Sequence, residues 1–221
     1  MNEKTFLAVT VLLLLVGSVS IGSVILYTPT AGDAQFYWNS KYGYDSYTTG
    51  GTEMGIYLYM GAPYGNDHTI SIFEIPIAAL AGKTVESATL EVNALGFGTN
   101  YYYGSASIGW LNTGSMILTG NVVTDGIGAP AKSVPGGFTI YNSDYAYTSG
   151  LKQFDVLSCV LADLAAGRTY STFVMSGSRE TYGSIYTAES GSGPRIVAVV
   201  PEPATIAMLG LSVLSLIRRK K

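Results

Sequence analysis

The chain has 221 residues, 48% of them hydrophobic and 12% charged, with 27 glycines, 17 tyrosines and a mean hydropathy of +0.29. This composition excludes a disordered polymer and a coiled coil, and glycines without a three-residue period exclude collagen, so a turn-rich body with a buried core is required. The net charge of −3 is unevenly spread: outside Glu3, Lys4, Glu202 and the terminal Arg218, Arg219, Lys220 and Lys221 there remain seven basic against thirteen acidic side chains. Such a body is a poor match for nucleic acid, and no nucleic-acid partner is expected.

In chain order, Lys4 precedes an apolar run from Phe6 to Val16, the length of the hydrophobic region of a secretory signal. Small residues follow in Ser18-Val19-Ser20 and Ile21-Gly22-Ser23, so residues 1–23 read as an export signal cut somewhere from Ser20 to Ser23. The alternative is an uncleaved anchor continuing through Ile25-Leu26.

Residues 24–200 form one all-β domain, of a size that a single antiparallel sandwich can hold. Strand-like runs occur at 34–38, 55–60, 69–75, 87–92, 105–110, 137–141, 171–175 and 195–200. Ala88, Leu90 and Val92 alternate with Thr89 and Glu91, as a half-buried strand requires, and clusters such as Gly65-Asn66-Asp67 punctuate the runs. A brief helical turn is expected within Pro76 to Gly82. One segment changes period: Val156, Leu157, Val160, Leu161 and Leu164 recur at helical spacing between Asp155 as N-cap and Gly167 as the stop, predicting one short helix packed on the sheet.

Chemistry-bearing residues are sparse. His68 is the single histidine and follows Asp67 in a turn-like stretch, with no Gly-x-Ser-x-Gly elbow to supply a nucleophile. One His and one Cys cannot supply the three or four ligands of a usual zinc site. Cys159 can form no internal disulfide, and its place on the helix reads as a small buried apolar residue. Asp33, Asp45, Asp67, Asp125, Asp144, Asp163, Glu180 and Glu189 are scattered with no calcium-loop spacing, so no cofactor is expected, and a structural calcium would need ligands distant in sequence. Two facing carboxylates of a glycosidase cannot be recognised from the linear sequence, and no catalytic residue is assigned.

Aromatic residues are more suggestive. Trp38 with Tyr37, and the run Tyr101-Tyr102-Tyr103, could stack on sugar rings; equally, tyrosine suits half-buried strands with its hydroxyl at the wet edge.

The chain closes with Pro201-Glu202-Pro203, then the apolar stretch Ala204 to Ile217, then Arg218, Arg219, Lys220 and Lys221. As a helix the apolar stretch would be about 21 Å long, short for a bilayer, and the basic cluster would stay cytoplasmic: a temporary anchor rather than a permanent one. A plain C-terminal tail anchor is the simpler alternative. The three-part order resembles the PEP-CTERM sorting signal of exosortase substrates, over residues 201–221. The resemblance implies a membrane protease or transpeptidase that cuts near Pro201-Glu202-Pro203, in a Gram-negative bacterium that makes extracellular polysaccharide. The body would then be exported through the inner membrane to the cell surface or matrix, as substrate and not as catalyst.

The order of pieces in the body is similar to the DNRLRE-type modules, jelly-roll sandwiches classed with carbohydrate-binding modules. The similarity lies in Asp33-Ala34, Ile72-Phe73-Glu74-Ile75-Pro76 followed by Val85 to Val92, Phe154-Asp155-Val156, and Glu189 to Val197. It implies a jelly-roll-like β-sandwich and, for the function, an association with extracellular polysaccharide. The segment Ser176 to Glu180 departs from that family's naming sequence. Three readings of the body compete: a structural matrix protein, a sugar-binding module, and, most distantly, a polysaccharide-active enzyme.

Overall fold

The computed structural model describes residues 21–29, 32–39, 45–48, 51–61, 65–99, 104–112, 137–143, 148–178 and 181–201. Tyr101 to Tyr103, the export signal up to Ser20 and the tail from Glu202 onward lie outside the described residues.

Among the described residues, twelve strands follow in order: β1 (Ile21–Tyr27), β2 (Asp33–Asn39), β3 (Asp45–Thr48), β4 (Glu53–Gly61), β5 (Gly65–Pro76), β6 (Ser87–Thr99), β7 (Gly104–Trp110), β8 (Phe138–Ser143), β9 (Thr148–Asp155), β10 (Tyr170–Ser178), β11 (Thr181–Tyr186) and β12 (Arg195–Pro201). Helix α1 (Leu157–Ala165) sits between β9 and β10, a 3₁₀ turn at Ala78–Leu80 fills the predicted turn after Pro76, and another at Ala188–Ser190 lies between β11 and β12. All the pairings are antiparallel. The fold is therefore all-β and antiparallel with one packed helix, as the alternation of the sequence predicts.

The sheet curls rather than splitting in two. One wall is β1-β12-β6-β9 and the other β3-β2-β5-β10-β7-β8, with β11 and β4 bridging them because β11 pairs β6 on one side and β4 on the other. Leu90 and Ile196 from the first wall meet Phe73, Ile108 and Phe173 from the second in one buried cluster. Ala88, Leu90 and Val92 all point into it, while Thr89 and Glu91 stay half-exposed. The rings of Phe73 and Phe173, opposite each other in register, stack with centroids 5.6 Å apart. A second, smaller cluster lies on the opposite face of β2-β5-β10, where Ala34 faces Ile72, Phe36 faces Ile70, and Val174 packs beside them.

Four strands escape the sequence pattern for identifiable reasons. β1 starts at Ile21, inside the stretch expected to carry the export cut. β3 is four residues long, β9 carries Lys152 and Gln153 on an exposed edge, and β11 is interrupted by Gly183 and Ser184. His68, expected in a turn, lies within β5, because the strand begins at Gly65, directly opposite Gly61 of β4. Helix α1 begins one residue later than an Asp155 cap implies: Val156 is the N-cap and is buried, while the Asp155 carboxylate still accepts from the Leu157 N–H at 3.0 Å. The stop is as expected, with Gly167 at φ 71°, a left-handed conformation that glycine adopts without steric cost. Cys159 is buried on the helix, where desolvation pushes its thiol pKa up, consistent with a packing role.

Candidate functional site

The most distinctive site is the junction between the last strand and the sorting tail. In β12 the residues Ile196, Ala198 and Val200 face inward and are buried, whereas Arg195, Val197 and Val199 face out. β12 is held on both sides: by β6, with Arg195 opposite Glu91 and Val199 opposite Ser87, and by β1, with Tyr27 opposite Arg195 and Ile21 opposite Pro201. Pro201 is the last residue of the strand and is half-buried. Proline suits a strand terminus because it has no N–H to leave unpaired. Glu202, Pro203 and the basic group Arg218 to Lys221 follow outside the described residues.

The outward face beside this junction carries a cross-strand ladder. The Arg195 Nε donates to Glu91 Oε2 at 2.7 Å, Gln153 Nε2 donates to Glu91 Oε1 at 2.8 Å, and the Arg195 guanidinium lies 6.0 Å from the Tyr27 ring centroid. The hydrogen bonds from Gln153 and then Arg195 hold the Glu91 carboxyl below its ordinary range. These groups sit at the surface, where such pairs contribute little to stability and serve mainly to fix the register of β9, β6, β12 and β1.

Of the aromatic residues expected to stack on sugars, Trp38 is half-buried on β2 against the second cluster. Its ring lies flat on His68, directly opposite on β5, with centroids 4.6 Å apart and planes 6° from parallel. The stack gives the single histidine a packing partner. The structure adds a pair that the sequence did not single out: Tyr57 on β4 and Tyr182 on β11 stand opposite each other and are each 39% exposed. Tyr182 lies over Gly98, where a Cβ would come within 2.8 Å of its hydroxyl. The pairing of two separate strands makes this pair, so no local motif announces it.

Three carboxylates are buried away from the junction among the described residues: Glu74 on β5, which accepts from Thr172 Oγ1 at 3.0 Å, Asp163 and Asp33. Asp163 of α1 is 1% exposed; its Oδ2 accepts from Trp110 Nε1 at 2.9 Å and Ser171 Oγ at 2.6 Å, and its Oδ1 from Arg168 Nη1 at 2.7 Å. The signal in the sequence was an aspartate three residues after Val160 on the apolar side of an amphipathic helix, with Arg168 five residues on. Asp33, at the start of β2, accepts from the Ala188 N–H at 2.8 Å and is neighbour to Glu189, whose buried Oε2 has no partner among the described residues. Burial, first, and the neighbouring Glu189 carboxyl raise Asp33 to a pKa of about 6, outweighing the Ala188 hydrogen bond. No group of three or more His, Cys, Asp or Glu side chains placed to hold a metal occurs among the described residues.

The raised Asp33 has a signed consequence. Between about pH 4 and 6 the folded chain holds a proton that the unfolded chain has released, so stability falls as pH rises through this window, by up to about 3 kcal/mol. Asp33→Asn keeps an acceptor for Ala188 without the titration. Urea midpoints at pH 4.5 and 7 should differ more for the native chain than for the variant, and equal differences would refute this assignment.

Fold and junction together define an antiparallel β body whose final core strand runs into a C-terminal targeting tail. The family model of the PEP-CTERM protein-sorting motif matches residues 199–221, so its first three residues, Val199, Val200 and Pro201, are also the last three of β12. The motif implies export and exosortase processing, as in Gram-negative bacteria. No curated protein matches the chain. Among solved structures it is similar to Eiger TNF from S. frugiperda, at 8% identity over 83% of this chain and 93% of that one, but the TM-score of 0.28 is too low to support any argument. Among the described residues no helix is long and apolar enough to cross a membrane.

Proposed function

We propose that this protein is a non-enzymatic building block of the cell surface or extracellular matrix, delivered there when an exosortase-like enzyme cuts its tail near Pro201-Glu202-Pro203. The overlap of the sorting motif with β12 carries this reading. The motif shares Val199 to Pro201 with a strand that lines the core, so the passenger is a folded body fused to its address without a linker. Two residues separate Pro201 from Ala204, where the apolar stretch begins, so an extended chain there reaches only about 10 Å. The body would therefore rest against the membrane until it is cut.

A glycan-associated role is the second reading. It is favoured by the opposed, exposed Tyr57 and Tyr182 on the outer side of β4 and β11, because aromatic faces on a sheet surface can stack on sugar rings. Extracellular polysaccharide is the partner on that reading.

The sorting half is tested by Pro201→Ala combined with Pro203→Ala in a host that carries an exosortase. The expected result is a full-length precursor retained in the membrane fraction, against a shortened, released body for the native chain. Normal shortening and release of the double variant would overturn the proposal.

A further inference from the structure

The position of β1 selects one cut among those the sequence allows. We infer that the export signal is hydrolysed at the Ser20–Ile21 bond, and that the new N-terminus is seated opposite Pro201, so that both processing sites lie at one end of a single strand pair. Water adds across the peptide bond, leaving a carboxylate on Ser20 of the released signal and an amino group on Ile21. The inference rests on the export reading above.

Two bonds satisfy the preference of signal cleavage for small residues at the last and third-last positions: after Ser20, with Ser18 before it, and after Gly22, with Ser20 before it. A cut after Ser23 places the bulky Ile21 at the third-last position. The sheet separates these possibilities. β1 pairs with β12 at seven consecutive positions, beginning with Ile21 opposite Pro201 and Gly22 opposite Val200. A cut after Gly22 would strip the partners of Pro201 and Val200, and a cut after Ser23 that of Val199 as well, which are the residues where the sorting motif begins. Cutting after Ser20 leaves every pair among the described residues intact.

β1 is also part of the body and not a remnant of the signal. Leu26 is buried in the core cluster with Val24 packed against it, while Ile25 and Tyr27 face outward at 46% and 55% exposure. The strand is anchored beyond its far end by Thr28, whose N–H and hydroxyl both donate to the Pro194 carbonyl, at 3.1 and 2.8 Å. With β12 held by β6 on its other side, β1 closes the edge of the wall.

The test is N-terminal sequencing of the full chain expressed in an exporting Gram-negative host, on both membrane and released fractions, alongside Ile25→Cys combined with Val197→Cys. Those two outward-facing residues are opposite each other in the register, so an oxidising exterior should join them. The expected results are a chain beginning Ile-Gly-Ser-Val-Ile and a β1–β12 cross-link seen as a mass loss reversed by reductant. A chain beginning at Ser23 or Val24 would overturn the assigned cut while leaving export intact. A start at Ile21 without the cross-link would overturn the seating of β1. A start at Met1 overturns the cut, and protease accessibility of the body then shows whether export itself has failed.

Discussion

Asp163→Ala should lower the unfolding free energy by about 3–5 kcal/mol, read as a shift in the urea midpoint at constant slope. The aspartate is 1% exposed and accepts three hydrogen bonds from three elements: Trp110 at the end of β7, Ser171 at the start of β10, and Arg168 just beyond α1. Alanine leaves the Ser171 hydroxyl without an acceptor in a buried site and the Trp110 N–H without one in a partly buried site, each costing about 1–3 kcal/mol when fully desolvated. It also leaves the guanidinium of Arg168, whose side chain is only 17% exposed, without its counter-charge. Asp163→Asn retains an acceptor of nearly the same shape and should lose clearly less. An alanine variant within about 1 kcal/mol of the native chain would mean that this network does not tie the helix to the sheet.

Gly183→Ala should cost about 3 kcal/mol, the upper end of what overpacking a core usually does. The added Cβ would come 2.2 Å from Cδ1 of Phe97 and 2.7 Å from the Gly96 carbonyl oxygen. Phe97 is fully buried in the main cluster, so its ring cannot swing into solvent, and the carbonyl belongs to the neighbouring strand β6. The clash therefore has to be relieved by separating β11 from β6 at the point where the two walls of the sheet are joined. Phe97→Ala in the same chain removes the ring that clashes. The double variant should be less destabilised than the sum of the singles, and strict additivity would show that the ring is not the obstacle.

These two sites mark where local pattern stops being informative. The strand at Ser87 to Val92 was legible because the buried wall demands alternation, and Ala88, Leu90 and Val92 all point inward. The helix was legible because its apolar spacing and the left-handed Gly167 are properties of consecutive residues. β11 was not, because Gly183 reads locally as a break in a strand when it is in fact a vacancy cut for Phe97. β9 was not, because as an edge strand it buries few side chains and shows no clear alternation. The Asp33–Glu189 pair and the Tyr57–Tyr182 pair join residues more than 120 positions apart, beyond the reach of any spacing argument.

The sequence by itself determined that this protein carries a sorting signal, and its class of fold. A sorting signal is read by its receptor as an order of residue types along the chain, and the two-residue period of a half-buried strand is written in consecutive side chains. The tertiary structure alone decided where that signal meets the body. Strand pairing brings Ile21 opposite Pro201 and sets the sorting motif at the end of a core strand, because hydrogen-bonded register depends on which segments come together across the whole chain and not on either segment alone.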